Sequence, residues 1–523
     1  MMLKRLFATA CALSALVSGA AVRTATPFAD GMVLQRGRAV PVWGTAAPGE
    51  EVRVSFAGQE KSAKAGADGA WCVSLDAMEA SKENRTMRIM GGRASSQAAT
   101  GGRASPRAAT IEIKNVLVGE VWFASGQSNM ECPIWGANPR YRDGNGLMMV
   151  SAARHGDIRY AKNPKRWSAA PKHDQKAVWR DFSPESFAAT AGQNLSAVAF
   201  YYALTLHHAL DVPIGVIDSS YGGSGIDPWM PRSAYAGRAE LREVAEYPVT
   251  DDWKASMKKG IVDHAAQQPT VLWNGMVAAW APFAVRGVIW YQGEHNRNEP
   301  ELYCAKMHAL YDGWAAEFRN PNLRFYFAQL APHKIGWHGL QLAQSQFAAE
   351  EKNAAMAVTC DAGNWHDVHP NGKEIVASRL ALHALKRDYG FGGIIDDSPA
   401  PAKWRVDGNK VVLSFSDAKT LYYYNADISA PKGFEIAGED GKYRAAKILN
   451  RLPSKWNRRG YIDGAELVLA ADGVDAPRKV RYLASPPYVG SLYSSDSGLP
   501  LGPFEVELSD HMERVQMNSS VSL

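Results

Sequence analysis

Long apolar runs are what this sequence most conspicuously lacks. Beyond the first two dozen positions, no stretch approaches the roughly 20 consecutive apolar residues of a spanning helix, so no membrane insertion is expected of the mature chain. Cysteine is scarce, five in 523 residues, and the wide spacing matches no metal-ligand pattern. A metal is therefore not implied. Charge of one sign is missing too: 58 Lys and Arg face 53 Asp and Glu, interspersed. No basic run with interleaved aromatics occurs, which argues against nucleic acid as a partner. With 46% hydrophobic and 21% charged residues the composition excludes disorder as the main state.

What is present begins with a targeting pattern. Lys4 and Arg5 precede an apolar stretch over residues 6–17, followed by Ser18-Gly19-Ala20-Ala21, small residues suited to signal-peptidase cleavage. Residues 1–21 thus read as a signal peptide, and the mature chain as exported, periplasmic or secreted. Cys11 leaves with that segment. Cys72, Cys132, Cys304 and Cys360 remain, an even number in an oxidising compartment, compatible with one or two disulfides or four thiols.

A chain of this length exceeds one compact core. Short β-runs broken by Gly, Pro and Asp fill residues 24–114, the pattern of a β-sandwich. A tandem decapeptide over 91–110 (GGRASSQAAT, GGRASPRAAT) matches at eight of ten positions and reads as a surface hairpin expansion. Residues 115–394 alternate strands and helices. Strands are expected near 116–123, 212–217, 285–290, 325–330 and 356–359, and helices over 197–210, 300–318, 340–351 and 373–387. That alternation predicts an α/β domain with a doubly wound parallel sheet. Residues 395–510 return to short strands, a second β-domain, before a tail over 511–523.

The stretch from Val118 to Met130 concentrates the chemistry. A buried strand stops at Ser125-Gly126, and Ser128 follows on a tight turn at the carboxyl rim of the sheet, where open α/β proteins bind ligands. A serine hydroxyl needs a base. Asp367-Val368-His369-Pro370 offers one: an imidazole near its ordinary pKa, with a carboxylate two residues away, projecting to the same side in an extended loop. Adjacent glycines after the next strand, Gly222-Gly223, present backbone N–H groups to an oxyanion, and Gln292 could add its side-chain amide. His295 is the rival base, but Glu294 and His295 on a strand would face opposite ways. The other histidines, His308 and His383 among them, read as surface or helix residues.

Through these residues the chain resembles the sialate O-acetylesterase family, carbohydrate esterases of the wider SGNH-hydrolase class. The likeness runs through Phe28-Ala29-Asp30-Gly31-Met32-Val33-Leu34-Gln35-Arg36, Gly119-Glu120-Val121-Trp122, Gly126-Gln127-Ser128-Asn129-Met130 and Gly222-Gly223. It continues in Gly287-Val288-Ile289-Trp290-Tyr291-Gln292-Gly293-Glu294, Asp367-Val368-His369-Pro370 and Gly498-Leu499-Pro500. The resemblance implies an SGNH-type hydrolase domain flanked by β-sandwich-like domains. It further implies Ser128 as nucleophile, His369 as base and Asp367 as its partner, with the N–H groups of Ser128 and Gly223 and the amide of Gln292 forming the oxyanion hole. Tyr221, Trp290, Glu294 and His295 would border an O-acetylated sugar or glycan, and neither metal nor organic cofactor would take part. The chain departs from the family pattern at Tyr221, where Trp is usual, at Ser224 (Thr), at His295 (Ser) and at Gln341-Leu342, which lacks the usual Arg-Glu. These positions bear on substrate preference. An esterase for acetylated xylan or a similar polysaccharide is the alternative within this chemistry. A non-catalytic carbohydrate-binding protein is the alternative outside it.

Overall fold

The apolar run before Ser125 belongs to a strand of 17 residues, β1 (Thr110–Gly126), in the computed structural model of the chain. The structure describes residues 22–92, 110–135, 145–173, 176–190, 195–252, 254, 264–424, 431–453, 459–486 and 489–508. The expected signal peptide, nearly all of the decapeptide repeat and the tail lie outside the described residues.

Six further strands extend the sheet around β1: β2 (His155–Lys162), β3 (Trp179–Phe182), β4 (Ile214–Ser220), β5 (Gly287–Tyr291), β6 (Arg324–Ala328) and β7 (Ala354–Ala357). Their spatial order is β3-β2-β4-β1-β5-β6-β7. All pairs are parallel except the edge strand β3, which runs antiparallel to β2. From β1 the chain builds first towards β2 and β4, then crosses to β5, β6 and β7. The order therefore reverses at β1, and a crevice opens at its carboxyl end.

Five helices matter here: α1 (Ser128–Glu131), α2 (Ala197–Leu210), α3 (Pro300–Glu317), α4 (His338–Glu350) and α5 (Lys373–Arg387). Successive side chains of β1 show how the sheet is covered. Trp122 meets Tyr202 of α2 and Tyr326 of β6, whose ring also meets His383 of α5. Phe123, on the opposite face, meets Trp314 of α3. Phe347 of α4 packs on Phe325 and Phe327 of β6. Both faces are thus dry, as continuous apolar strands require. The helices expected over 197–210 and 373–387 form with those bounds. The edge strands β2 and β3, rich in charged residues, were not anticipated.

The two β-regions are joined to this sheet differently. Strands Glu51–Phe56 and Ser81–Gly92 extend the same sheet, because Ser81–Gly92 pairs with the first half of β1. The boundary expected at 114/115 falls inside β1, where Asn115 takes a left-handed φ of 56° as the pairing register shifts. One apolar core spans both parts. Among the described residues, the C-terminal region instead forms two antiparallel sheets, of seven and four strands, over a separate core that includes Val411, Ile436, Leu469 and Tyr482. Among the described residues, no disulfide links Cys72, Cys132, Cys304 and Cys360.

Candidate active site

The turn carrying Ser128 is fixed by the sheet beneath it. Gly126 has φ 140°, and a Cβ there would lie 2.2 Å from Tyr291 O. Only glycine permits that approach, which lets Gln127 N donate to Tyr291 O at 3.0 Å as the chain swings into α1. Tyr221 N donates to Gly126 O at 3.0 Å, and Ser125 Oγ to Ser219 O at 2.6 Å. Gln127 Oε1 accepts from Gln292 Nε2 (3.2 Å), Gly293 N (3.3 Å) and His295 N (3.4 Å), so β1, β4 and β5 are laced together at their carboxyl ends. Ser128 opens α1, 8% exposed, and its Oγ makes no hydrogen bond among the described residues. Its N–H has no partner within the helix.

Gly222-Gly223 faces the same turn. Gly222 N donates to Glu131 Oε2 of α1. Gly223 adopts φ 76° with open space where a Cβ would be. Gln267, buried, holds this loop from behind: its Nε2 donates to Gly223 O and its Oε1 accepts from Gly225 N at 3.1 Å. Sequence reasoning missed Gln267, which lies 44 residues from the glycine it holds.

Asp367-Val368-His369-Pro370 enters from the loop before α5. Asn129, the residue after Ser128, donates from Nδ2 to Val368 O at 3.0 Å and also to Glu294 Oε1. Its Oδ1 accepts from Lys373 Nζ. Lys373 is 1% exposed, with Nζ 5.5 Å from the Tyr291 ring centroid. The turn carrying Ser128 and the loop carrying His369 are thereby in direct contact through Asn129 and Lys373, to which the sequence assigned no role. The signal for Asn129 was its adjacency to Ser128; Lys373 gave none beyond standing first in an amphipathic helix.

The relation of Asp367 to His369 corrects the extended-loop expectation. Asp367 Oδ1 accepts from the backbone N–H of His369 at 2.9 Å and lies 3.8 Å from Nδ1. The carboxylate shapes the bend and stands at ion-pair distance from the ring, beyond hydrogen-bond length. Burial and the Lys373 cation lower the His369 pKa, against the opposing pull of Asp367 and Glu131. Both effects favour the neutral, proton-accepting form of the imidazole.

Other expected positions fall differently. Trp290 is fully buried, its ring set among Trp229, Trp314 and Phe325; it faces the core, not the crevice. Glu294 is buried against Asn129, and burial raises its pKa despite that hydrogen bond and Lys373. His295 lies in a short 3-10 helix (Glu294–Asn296) instead of a strand, and is exposed. Desolvation by the surrounding loops and the neighbouring His264 lower its pKa. Tyr221 is half-buried at the rim, with Lys165 Nζ 5.1 Å from its ring centroid. Gln292 is fully buried; its Nε2 donates to Asn296 Oδ1 (2.7 Å), Gln127 Oε1 and Ser224 O (3.3 Å), and its Oε1 accepts from Tyr303. Its amide holds loops together, and serving an oxyanion would require exchanging one of these acceptors.

A free hydroxyl, open backbone N–H groups and a neutral imidazole in the adjoining loop are the parts of acyl transfer. Residues 118–381 match the family described as "Carbohydrate esterase, sialic acid-specific acetylesterase". The sialate O-acetylesterase of Homo sapiens is 28% identical over 546 aligned positions, covering 96% of this chain and 95% of that protein. The solved structure of a carbohydrate acetylesterase from Xanthomonas citri superposes with a TM-score of 0.75 at 32% identity, covering 93% of this chain and 99% of the other. The chain belongs to the sialic acid-specific acetylesterase family of carbohydrate esterases and is a carboxylic ester hydrolase.

Proposed function

We propose that the protein removes O-acetyl groups from sialic acids or related acetylated sugars through an acyl-enzyme on Ser128. Ser128 Oγ attacks the acetyl carbonyl while His369 takes its proton, and Asp367 orients the loop and offsets the imidazolium charge. The N–H groups of Ser128 and Gly223 receive the oxyanion, with Gln292 as a third donor once one of its present acceptors gives way. Removing one such donor typically raises the barrier by ~3 kcal/mol. His369 then protonates the departing sugar hydroxyl, and water releases acetate by the reverse route. The observation that carries this reading is the Asn129–Val368 hydrogen bond, which ties the residue after the nucleophile to the residue before the base.

On the same reading, the parallel sheet is an SGNH-type hydrolase core and the flanking regions are sandwich-like. Residues 1–21 direct export to the periplasm or beyond. No helix among the described residues is long and apolar enough to cross a membrane. The Xanthomonas citri relative is described as a carbohydrate acetylesterase without restriction to sialic acid, and acetylated polysaccharide is the second substrate class. Acetate release from paired panels of acetylated sialosides and xylo-oligosaccharides separates the two. Turnover of xylan fragments alone would reject the sialic acid assignment. His369→Ala is expected to abolish turnover and His295→Ala to spare most of it; the reverse ranking would move the base to His295.

A further inference from the structure

Where α3 and α4 pack on each other, three ligand types meet. Cys304 and His308 stand one helical turn apart on α3, and Glu350 closes α4 opposite them. His308 Nε2 lies 2.9 Å from Glu350 Oε2, Cys304 Sγ donates to the same oxygen at 3.6 Å, and all three atoms fall within 4.8 Å of one another. Ligands on a tetrahedral zinc ion, at bond lengths of about 2.0–2.3 Å, are separated by roughly 3.3–3.5 Å. The trio is spaced for a shared ion with little rearrangement.

We infer that Cys304, His308 and Glu350 form a binding site for zinc or a similar borderline divalent cation. Thiolate, imidazole and carboxylate are zinc's ordinary ligands, and the outer, exposed side of Glu350 leaves the fourth position to water. Supports for the ligands are already in place. Gln346 Nε2 donates to Glu350 Oε1 at 2.9 Å, leaving Oε2 for the ion, and the His308 ring is held edge-on by Phe347 at 4.8 Å. The other comparable group, His383 with Asp396 and Asp397, lacks this character, because the Arg387 guanidinium bonds both carboxylates and fills the cation's place. Binding releases the Cys304 thiol proton to solvent and staples α3 to α4. Those helices also brace the crevice: Tyr303, next to Cys304, donates to Gln292 O at 3.0 Å, and Gln344 of α4 to the same oxygen at 3.4 Å.

The test is titration of the reduced, metal-free full chain with Co²⁺ alone, then Zn²⁺. One equivalent of cobalt is expected to give a thiolate-to-metal charge-transfer band that zinc removes, and zinc is expected to raise Tm with concentration. Cys304→Ser should lose the band. His308→Ala, at a half-buried position, should weaken zinc binding by more than the about 100-fold that even a supporting residue costs. Absence of the band, its survival in Cys304→Ser, or unchanged zinc affinity in His308→Ala would each overturn the assignment.

Discussion

The turn that carries Ser128 is part of the sheet, whereas the loop that carries His369 hangs from it. Gly126, Gln127 and Ser128 are buried and bonded to β4 and β5 at several backbone and amide positions. The Asp367 side chain is 44% exposed and that of His369 22%, and a side-chain hydrogen bond from Asn129 anchors their loop to the Ser128 turn. In the proposed mechanism, a rigid nucleophile beside a tethered base leaves the precision of proton transfer to the tether, since near-attack geometry tolerates little displacement. The proposed oxyanion donors belong with the rigid half, because Gln267 and Glu131 fix the Gly222–Gly223 loop to the same frame.

The largest expected effect lies on the rigid side. Ser128→Ala should lower kcat on the order of 10⁵-fold or more, as nucleophile removal does in related chemistry. Because Ser128 Oγ has no hydrogen-bond partner among the described residues, Tm should scarcely move. Appreciable acetate release by a well-folded variant would take the serine out of the mechanism.

Asn129→Ala attacks the joint between the halves. It strips partners from Glu294, Lys373 and Val368 O, all buried or nearly so, and should cost about 2–4 kcal/mol of stability in urea unfolding. Turnover should fall about 100-fold while substrate binding changes far less, the signature of a displaced base. A loss confined to KM would mean that Asn129 serves the substrate and not the loop.

Asp367→Asn tests how tethered the base is. The amide oxygen can still accept the His369 N–H, so the bend survives while the charge disappears. With the carboxylate 3.8 Å from Nδ1, the expected loss is about 10- to 100-fold, short of the ~10⁴ seen where a buried carboxylate bonds the ring directly. A loss near 10⁴ would show that the loop closes onto the ring during turnover.

The same contrast governs what the amino-acid order reveals. A buried strand, a glycine and a serine are contiguous, so the rigid half is legible from local pattern, as are α2 and α5. The proposed base is legible only as a short D-x-H-P element. Its tether is not, because Asn129, Glu294 and the Val368–Lys373 stretch come from three separate segments, and side-chain pairing at that range leaves no periodicity to read. Trp290 was misplaced because a strand-end aromatic looks the same whether it faces the crevice or the core. The joint between the N-terminal β-region and the sheet was hidden for a similar reason: β1 passes through Asn115 without a break in its alternation strong enough to mark one.

Lys373 offers the smallest but most discriminating change. As a cation beside His369 it disfavours the imidazolium, so together with burial it holds the base's pKa below the ordinary histidine value. The protonated ring cannot act as base, and kcat/KM should therefore fall as pH drops through that lowered pKa. Lys373→Gln keeps an N–H for Asn129 Oδ1 but removes the charge. The imidazolium then becomes easier to form, the pKa rises, and the acid limb of the pH–rate profile moves to higher pH, while the plateau above it drops only modestly. Burial, the larger cause, persists in the variant, so the limb should shift without the loss of a base-deleted enzyme. A lowered plateau with an unmoved limb would assign Lys373 to packing alone, and would leave the tether through Asn129 as its whole contribution.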